Sequence, residues 1–174
     1  MLVTATIGLD AFGLLAMLTC SALYNLARGG AAKAVLRRLD HAAIFAMIAG
    51  TYTPICILGV GGLWGWCLLA AVWAGALVGG VLKIVAPGRF ERASIVAYIL
   101  LGWAGLAAIG PLVASLPAQL IVLIAAGGVC YTLGVLMHLA IRLRYHHAVW
   151  HACVLAGAAS HFVVLYDLAA GLSP

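Results

Sequence analysis

Charge is scarce in this sequence. Only 7% of its 174 residues are Asp, Glu, Lys or Arg, against about 25% in an ordinary soluble domain, whose surface must face water. A chain that is 67% hydrophobic can hide so much apolar surface only against lipid. Acid is scarcer still, with four Asp and Glu against nine Lys and Arg. In a soluble protein that excess would suggest nucleic acid. Here the bases fall between long apolar runs, and no basic stripe interleaved with aromatics exists, so nucleic-acid binding is excluded. CxxC pairs are missing too. Cys20, Cys56, Cys67, Cys130 and Cys153 lie singly inside apolar runs, which argues against a disulfide framework or a thiolate metal site and for packing. The N-terminal segment lacks a basic n-region and carries Asp10 within its apolar run, so it reads as a retained spanning helix rather than a secretory signal.

What is present is a succession of apolar runs, each near the roughly 20 residues that cross a bilayer. They predict helices over 2–26, 41–58, 64–85, 95–116, 118–141 and 148–172. The expected fold is all-α, a polytopic transmembrane bundle of about six helices forming a single integral membrane domain over 1–174. Residues 59–62 and 115–117 make tight turns on one side, and 27–39, 86–92 and 142–147 make longer connections on the other. Arg28, Lys33, Arg37, Arg38, Lys83, Arg89, Arg92, Arg142 and Arg144 all fall on that second side. The excess of positive charge in cytoplasmic loops then puts it in the cytoplasm and both termini outside; the expected location is an inner or plasma membrane. Gly75, Gly79, Gly80, Gly102, Gly105, Gly127 and Gly128 allow helices to approach closely. Pro54 should kink its helix, with Thr51 and Thr53 bonding the freed carbonyls.

Ionisable residues inside spans are costly, so each is a candidate site. His147 and His151 are four apart, on one helical face and about 6 Å apart along the axis. Two imidazoles so placed can share a zinc ion, or they are simply two interfacial histidines. Asp40 and His41 open a helix at the same depth; Asp40 is expected to cap it, a role compatible with holding a metal-bound water. Ser21 and Asn25 stand one turn apart at that depth, as helix-end polar residues or as part of a site. His161 lies about 15 Å deeper than His151 and is expected to be a hydrogen-bonded packing residue. His138 is a candidate substitute ligand. Asp10 and Asp167 fall near the outer helix ends, solvated or paired.

Two long motifs carry a family resemblance. The run Arg38-Leu-Asp-His-Ala-Ala-Ile-Phe-Ala-Met-Ile-Ala-Gly-Thr-Tyr-Thr-Pro54 resembles the signature of the hemolysin III family, which belongs with the progestin and adipoQ receptors. The tail His147-Ala-Val-Trp-His-Ala-Cys-Val-Leu-Ala-Gly-Ala-Ala-Ser-His161 resembles that family's last helix. Tyr98-Ile-Leu-Leu-Gly-Trp103 and Gly127-Gly-Val-Cys-Tyr-Thr-Leu-Gly134 fit its intervening helices. The resemblance implies a seven-helix fold, here without its first helix, and an intramembrane zinc site near the cytoplasmic face. It implies His147 and His151 as zinc ligands, Asp40 as the carboxylate beside the metal-bound water, and Ser21 as part of a Ser-x-x-x-His pattern. The histidine of that pattern, the third ligand, is replaced by Asn25, whose neutral amide oxygen is a poor zinc ligand. The implied activity is ceramidase-like hydrolysis of a lipid amide, with Asp40 as base, at an altered zinc site. The alternative is a non-enzymatic membrane protein: a lipid-binding or receptor-like module, or a cytolysin. The implied partners are membrane lipid and a lipid substrate or ligand.

Overall fold

The computed structural model describes residues 1–140 and 142–171. Seven helices and two irregular helical turns make up the fold, with no strand among the described residues. They are α1 (Leu2–Leu26), α2 (Gly30–Pro54), α3 (Gly62–Val85), α4 (Glu91–Gly102), α5 (Ile109–Ser115), α6 (Ala118–Leu139) and α7 (His146–Gly171). Among the described residues six helical stretches are long and apolar enough to cross a membrane, the fourth being α4 through α5. The multi-pass all-α membrane fold follows from this count. The backbone groups into two compact units, Met1–Ala108 and Ile109–Pro174, each described by itself.

In the N-terminal unit α1 and α2 run antiparallel in a register marked along their length. A Cβ on Gly13 would lie 2.9 Å from the Met47 Cα, and one on Gly50 would lie 2.8 Å from the Leu9 carbonyl oxygen. No larger residue fits at either crossing, so the two backbones meet directly. The Thr51 hydroxyl donates to Asp10 Oδ1 at 2.8 Å, and Lys33 Nζ donates to the Ala27 carbonyl at 2.9 Å. Asp10 is therefore paired. On the other side of α2, Phe45, Ala49, Cys56, Leu68, Leu69, Val72, Ala76 and Ala108 form the core. The Phe45 ring fills the space a side chain at Gly79 would need.

Three sequence expectations are corrected here. Residues 27–39 are not a connection: α2 begins at Gly30. Apart from Val35, residues 31–39 are Ala, Lys, Leu and Arg, strong helix formers, so the helix extends beyond its apolar part. Asp40 therefore lies well inside α2 and cannot be its N-cap, which is Gly29 with no side-chain cap. Pro54 does not produce a simple kink. The ladder widens into a π-helical turn at Ile55–Val60, closed by the Gly61 N–H on the Cys56 carbonyl at 2.9 Å. Thr51 and Thr53 bond the Met47 and Ala49 carbonyls, not that of Gly50, four residues before Pro54 and the one that loses its donor.

The expected helix over 95–116 is also interrupted. It leaves the α-form at Gly102 and passes through a 3-10 turn at Ala104–Ala108 before α5. Glycines are weak helix formers, and Pro111 can donate no hydrogen bond back across the break. The Tyr52 hydroxyl compensates by donating to the Gly102 carbonyl at 2.9 Å and accepting the Gly105 N–H at 2.8 Å. Non-helical backbone at membrane depth needs such partners.

In the C-terminal unit α6 and α7 pair antiparallel through a repeated device, a glycine on one helix receiving a ring from the other. His161 lies against Gly127, Tyr131 against Gly157, and Trp150 against Gly134. His161 is buried, with Nε2 3.2 Å from the Ile124 carbonyl and its ring edge-on to Tyr131. It is the packing histidine expected. Residues 141 and 172, the expected ends of two helices, lie outside the described residues.

Candidate functional site

The residues singled out from sequence divide between the units: Ser21, Asn25 and Asp40 in the first, His147 and His151 in the second. In the first unit, the register fixed by the Asp10–Thr51, Gly13–Met47 and Ala27–Lys33 pairs brings Cys20 and Ser21 level with Leu39 and Asp40. Ser21 is buried. A hydroxyl and a carboxylate thus share one level of the α1–α2 pair. Asn25 is exposed, and its amide nitrogen donates to the Ser21 carbonyl one turn back at 2.9 Å.

In the second unit, His147 and His151 belong to the first turns of α7, which begins at His146. Around His147 the structure gathers more imidazole than the HxxxH spacing alone indicated. The ring centroids of His146 and His147 are 4.0 Å apart, those of His138 and His147 5.4 Å, and those of His138 and His146 6.4 Å. The Trp150 ring lies tilted against His138 from the next turn, at 5.4 Å between centroids.

The zinc site implied by the resemblance asks for three imidazoles. Among the described residues no three His, Cys, Asp or Glu are arranged to hold a metal ion. At the third ligand position, Asn25 spends its amide nitrogen within its own helix and keeps only a neutral carbonyl oxygen, a hard donor ill-suited to zinc. The residues present do not fit the complete three-histidine site.

Sequence spacing pointed past Glu91, the only glutamate in the chain. It sits at the start of α4, where Lys83 Nζ donates to Oε2 at 2.8 Å and Arg37 to Oε1 at 3.3 Å, with His41 Nδ1 at 3.8 Å. Lys83, expected near a loop, is only 4% exposed. The Tyr98 hydroxyl donates to the His41 carbonyl at 2.9 Å, so α4 grips α2 beside Asp40. The signal available was that Glu91 stands close in sequence to three of this unit's seven Lys and Arg, Lys83, Arg89 and Arg92, with no other acid near them.

Comparison with known proteins agrees with the motifs. The family model described as Haemolysin-III related matches residues 3–162. Hemolysin-3 of Bacillus cereus is 43% identical over 132 residues, covering 75% of this chain and 60% of that protein. The Hemolysin-3 homolog of Bacillus subtilis (strain 168) is 40% identical over 130 residues, covering 75% and 61%. The chain thus spans about 60% of the length of these curated relatives. No solved structure matches it. On the family match and these identities, the chain belongs to the haemolysin-III-related family of multi-pass integral membrane proteins.

Proposed function

We propose that this chain is a lipid-binding, non-hydrolytic membrane protein of its family, in which His147 and His151 hold zinc only weakly. The observation that carries this reading is the Asn25 amide, bonded to the Ser21 carbonyl where the family pattern has an imidazole. Structural zinc is held by four ligands and catalytic zinc by three protein ligands with one open position; two imidazoles fall short of either. The test is zinc per protein after a fixed chelator challenge. Asn25→His should retain several-fold more zinc than the wild type. His147→Ala or His151→Ala should each remove most of what the wild type holds, and the double variant little more. Equal zinc in wild type and double variant would remove these residues from the site.

A second reading, zinc-dependent hydrolysis of a lipid amide, is favoured by Ser21 and Asp40 standing on one level of the α1–α2 pair. Turnover of a ceramide-like amide by the wild type, lost in Asp40→Asn, would put this reading first. Lysis of red cells, which the relatives' name suggests for them, is a third outcome to score in the same assay.

We further propose that the Lys- and Arg-bearing helix ends face the cytoplasm. In a cysteine-free background, a cysteine at Gly61 should react with an impermeant thiol reagent in intact cells, and one at Ala32 should not. The opposite labelling would invert the topology.

A further inference from the structure

Within the C-terminal unit one end is basic and has no acid of its own. The sequence contains no Asp or Glu between residues 118 and 166. Asp167 lies about 30 Å along α7 from His146, at 1.5 Å per residue. The junction of α6 and α7 is a tight turn: the Leu143 N–H donates to the Ala140 carbonyl at 2.8 Å, and the His146 N–H to the Leu143 carbonyl at 3.3 Å. Arg142 and Arg144 project from this turn, and neither has an ion pair among the described residues. The Arg144 guanidinium lies over the Tyr145 ring at 5.0 Å.

His146 supplies the second observation. Its Nδ1 is buried and has no hydrogen-bond partner, although its ring sits in the cluster with His138 and His147. A buried polar nitrogen without a partner is destabilising, and a phosphate oxygen that reached it would relieve that penalty. Two guanidiniums without a carboxylate partner suit a phosphate oxygen, and in the tautomer that carries its proton on Nδ1 the His146 ring, two residues after Arg144, can donate to one as well. The junction also ends two apolar helices long enough to span a bilayer, and Tyr145 is 67% exposed there. Tyrosines in that position sit at headgroup depth.

We propose that the α6–α7 junction binds the phosphate of an anionic lipid headgroup, with Arg142 and Arg144 supplying charge and the His146 imidazole a hydrogen bond. The site goes beyond the zinc-ligand positions and does not require metal. A basic residue beside an anionic lipid surface contributes on the order of fivefold in affinity, so two contribute about thirtyfold.

The test is phosphatidylglycerol binding by the purified full chain in phosphatidylcholine nanodiscs. Arg142→Gln/Arg144→Gln should weaken binding about thirtyfold, and His146→Ala should weaken it further. Arg142→Lys/Arg144→Lys keeps the charge and should stay within a few-fold of wild type, which separates lost charge from misfolding. Arg37→Gln, whose guanidinium already meets Glu91, should bind like wild type. If the Arg142→Gln/Arg144→Gln variant binds phosphatidylglycerol as the wild type does, or loses no more than Arg37→Gln, the proposal is overturned. Displacement of the lipid by millimolar inorganic phosphate would assign the site to free phosphate and overturn the lipid part.

Discussion

The two units of this chain both gather bases at one end of their helices, and they treat them in opposite ways. In the N-terminal unit a single acid, Glu91, collects Lys83, Arg37 and His41, while Lys33 caps the Ala27 carbonyl and covers the Tyr24 ring. In the C-terminal unit Arg142 and Arg144 stand in a segment without any acid, beside a histidine cluster. The interiors differ as well. Polar side chains cross-brace the first unit, through Asp10–Thr51, Trp73–Thr53, Tyr52–Gly102 and Tyr98–His41. The second seats rings on glycines, with His161 Nε2 also 3.2 Å from the Ile124 carbonyl across the helix pair. Charge spent on internal pairing holds helices together; charge left unpaired is available to a partner.

The largest effect that could break this comparison is at Glu91. Lys83 is 4% exposed, so removing its partner strands a nearly buried ammonium. Breaking a buried pair costs about 3–5 kcal/mol. Glu91 is itself 38% exposed, and water can reach its place, so about 2–3 kcal/mol is expected for Glu91→Ala. Lys83→Met, which leaves no stranded charge in α3, should recover part of the loss in the double variant. Thermal unfolding in detergent measures the size, and hydrogen exchange measures the place. Protection should fall in α2, α3 and α4. An equal fall in α6 and α7 would mean that the bases of the first unit are not an internal matter, and the contrast between the units would fail.

Much of this architecture was legible in the sequence because lipid imposes simple rules. Length and apolarity located six spans, and α1 was found to the residue. The misjudged places are those where a rule competes with a neighbour. Residues 30–40 carry Lys33, Arg37, Arg38 and Asp40, and such charge reads as a loop between spans, although alanine, lysine and arginine are strong helix formers. The break at Gly102 depends on a hydroxyl from Tyr52, fifty residues away in sequence, and nothing local announces it. At the candidate site the HxxxH spacing and the Ser21–Asn25 interval could be read directly, because helical periodicity is short-range. Glu91 and the approach of His138 to His147 could not, because each depends on which helix faces which. Asp40 was seen but given a cap's role that its position inside α2 denies it.

The smaller test falls on the second unit and asks whether close packing is what holds it. A Cβ at Gly127 would collide with the imidazole of His161, whose Nε2 lies 3.2 Å from the Ile124 carbonyl. Gly127→Ala must therefore either push the ring off that carbonyl or separate α6 from α7. Overpacking of this kind costs about 1–3 kcal/mol, offset by up to about 1 kcal/mol from the better helix propensity of alanine, so a net loss of about 1–2 kcal/mol is expected. Gly110→Ala in the same unit meets nothing within 4 Å and should be neutral or slightly stabilising. His161→Ala would empty the space at Gly127, so Gly127→Ala should cost little on that background, and the two losses should not add. Additive losses would show that the ring and the glycine do not act as a pair. The glycine-and-ring account of the α6–α7 contact would then have to be abandoned.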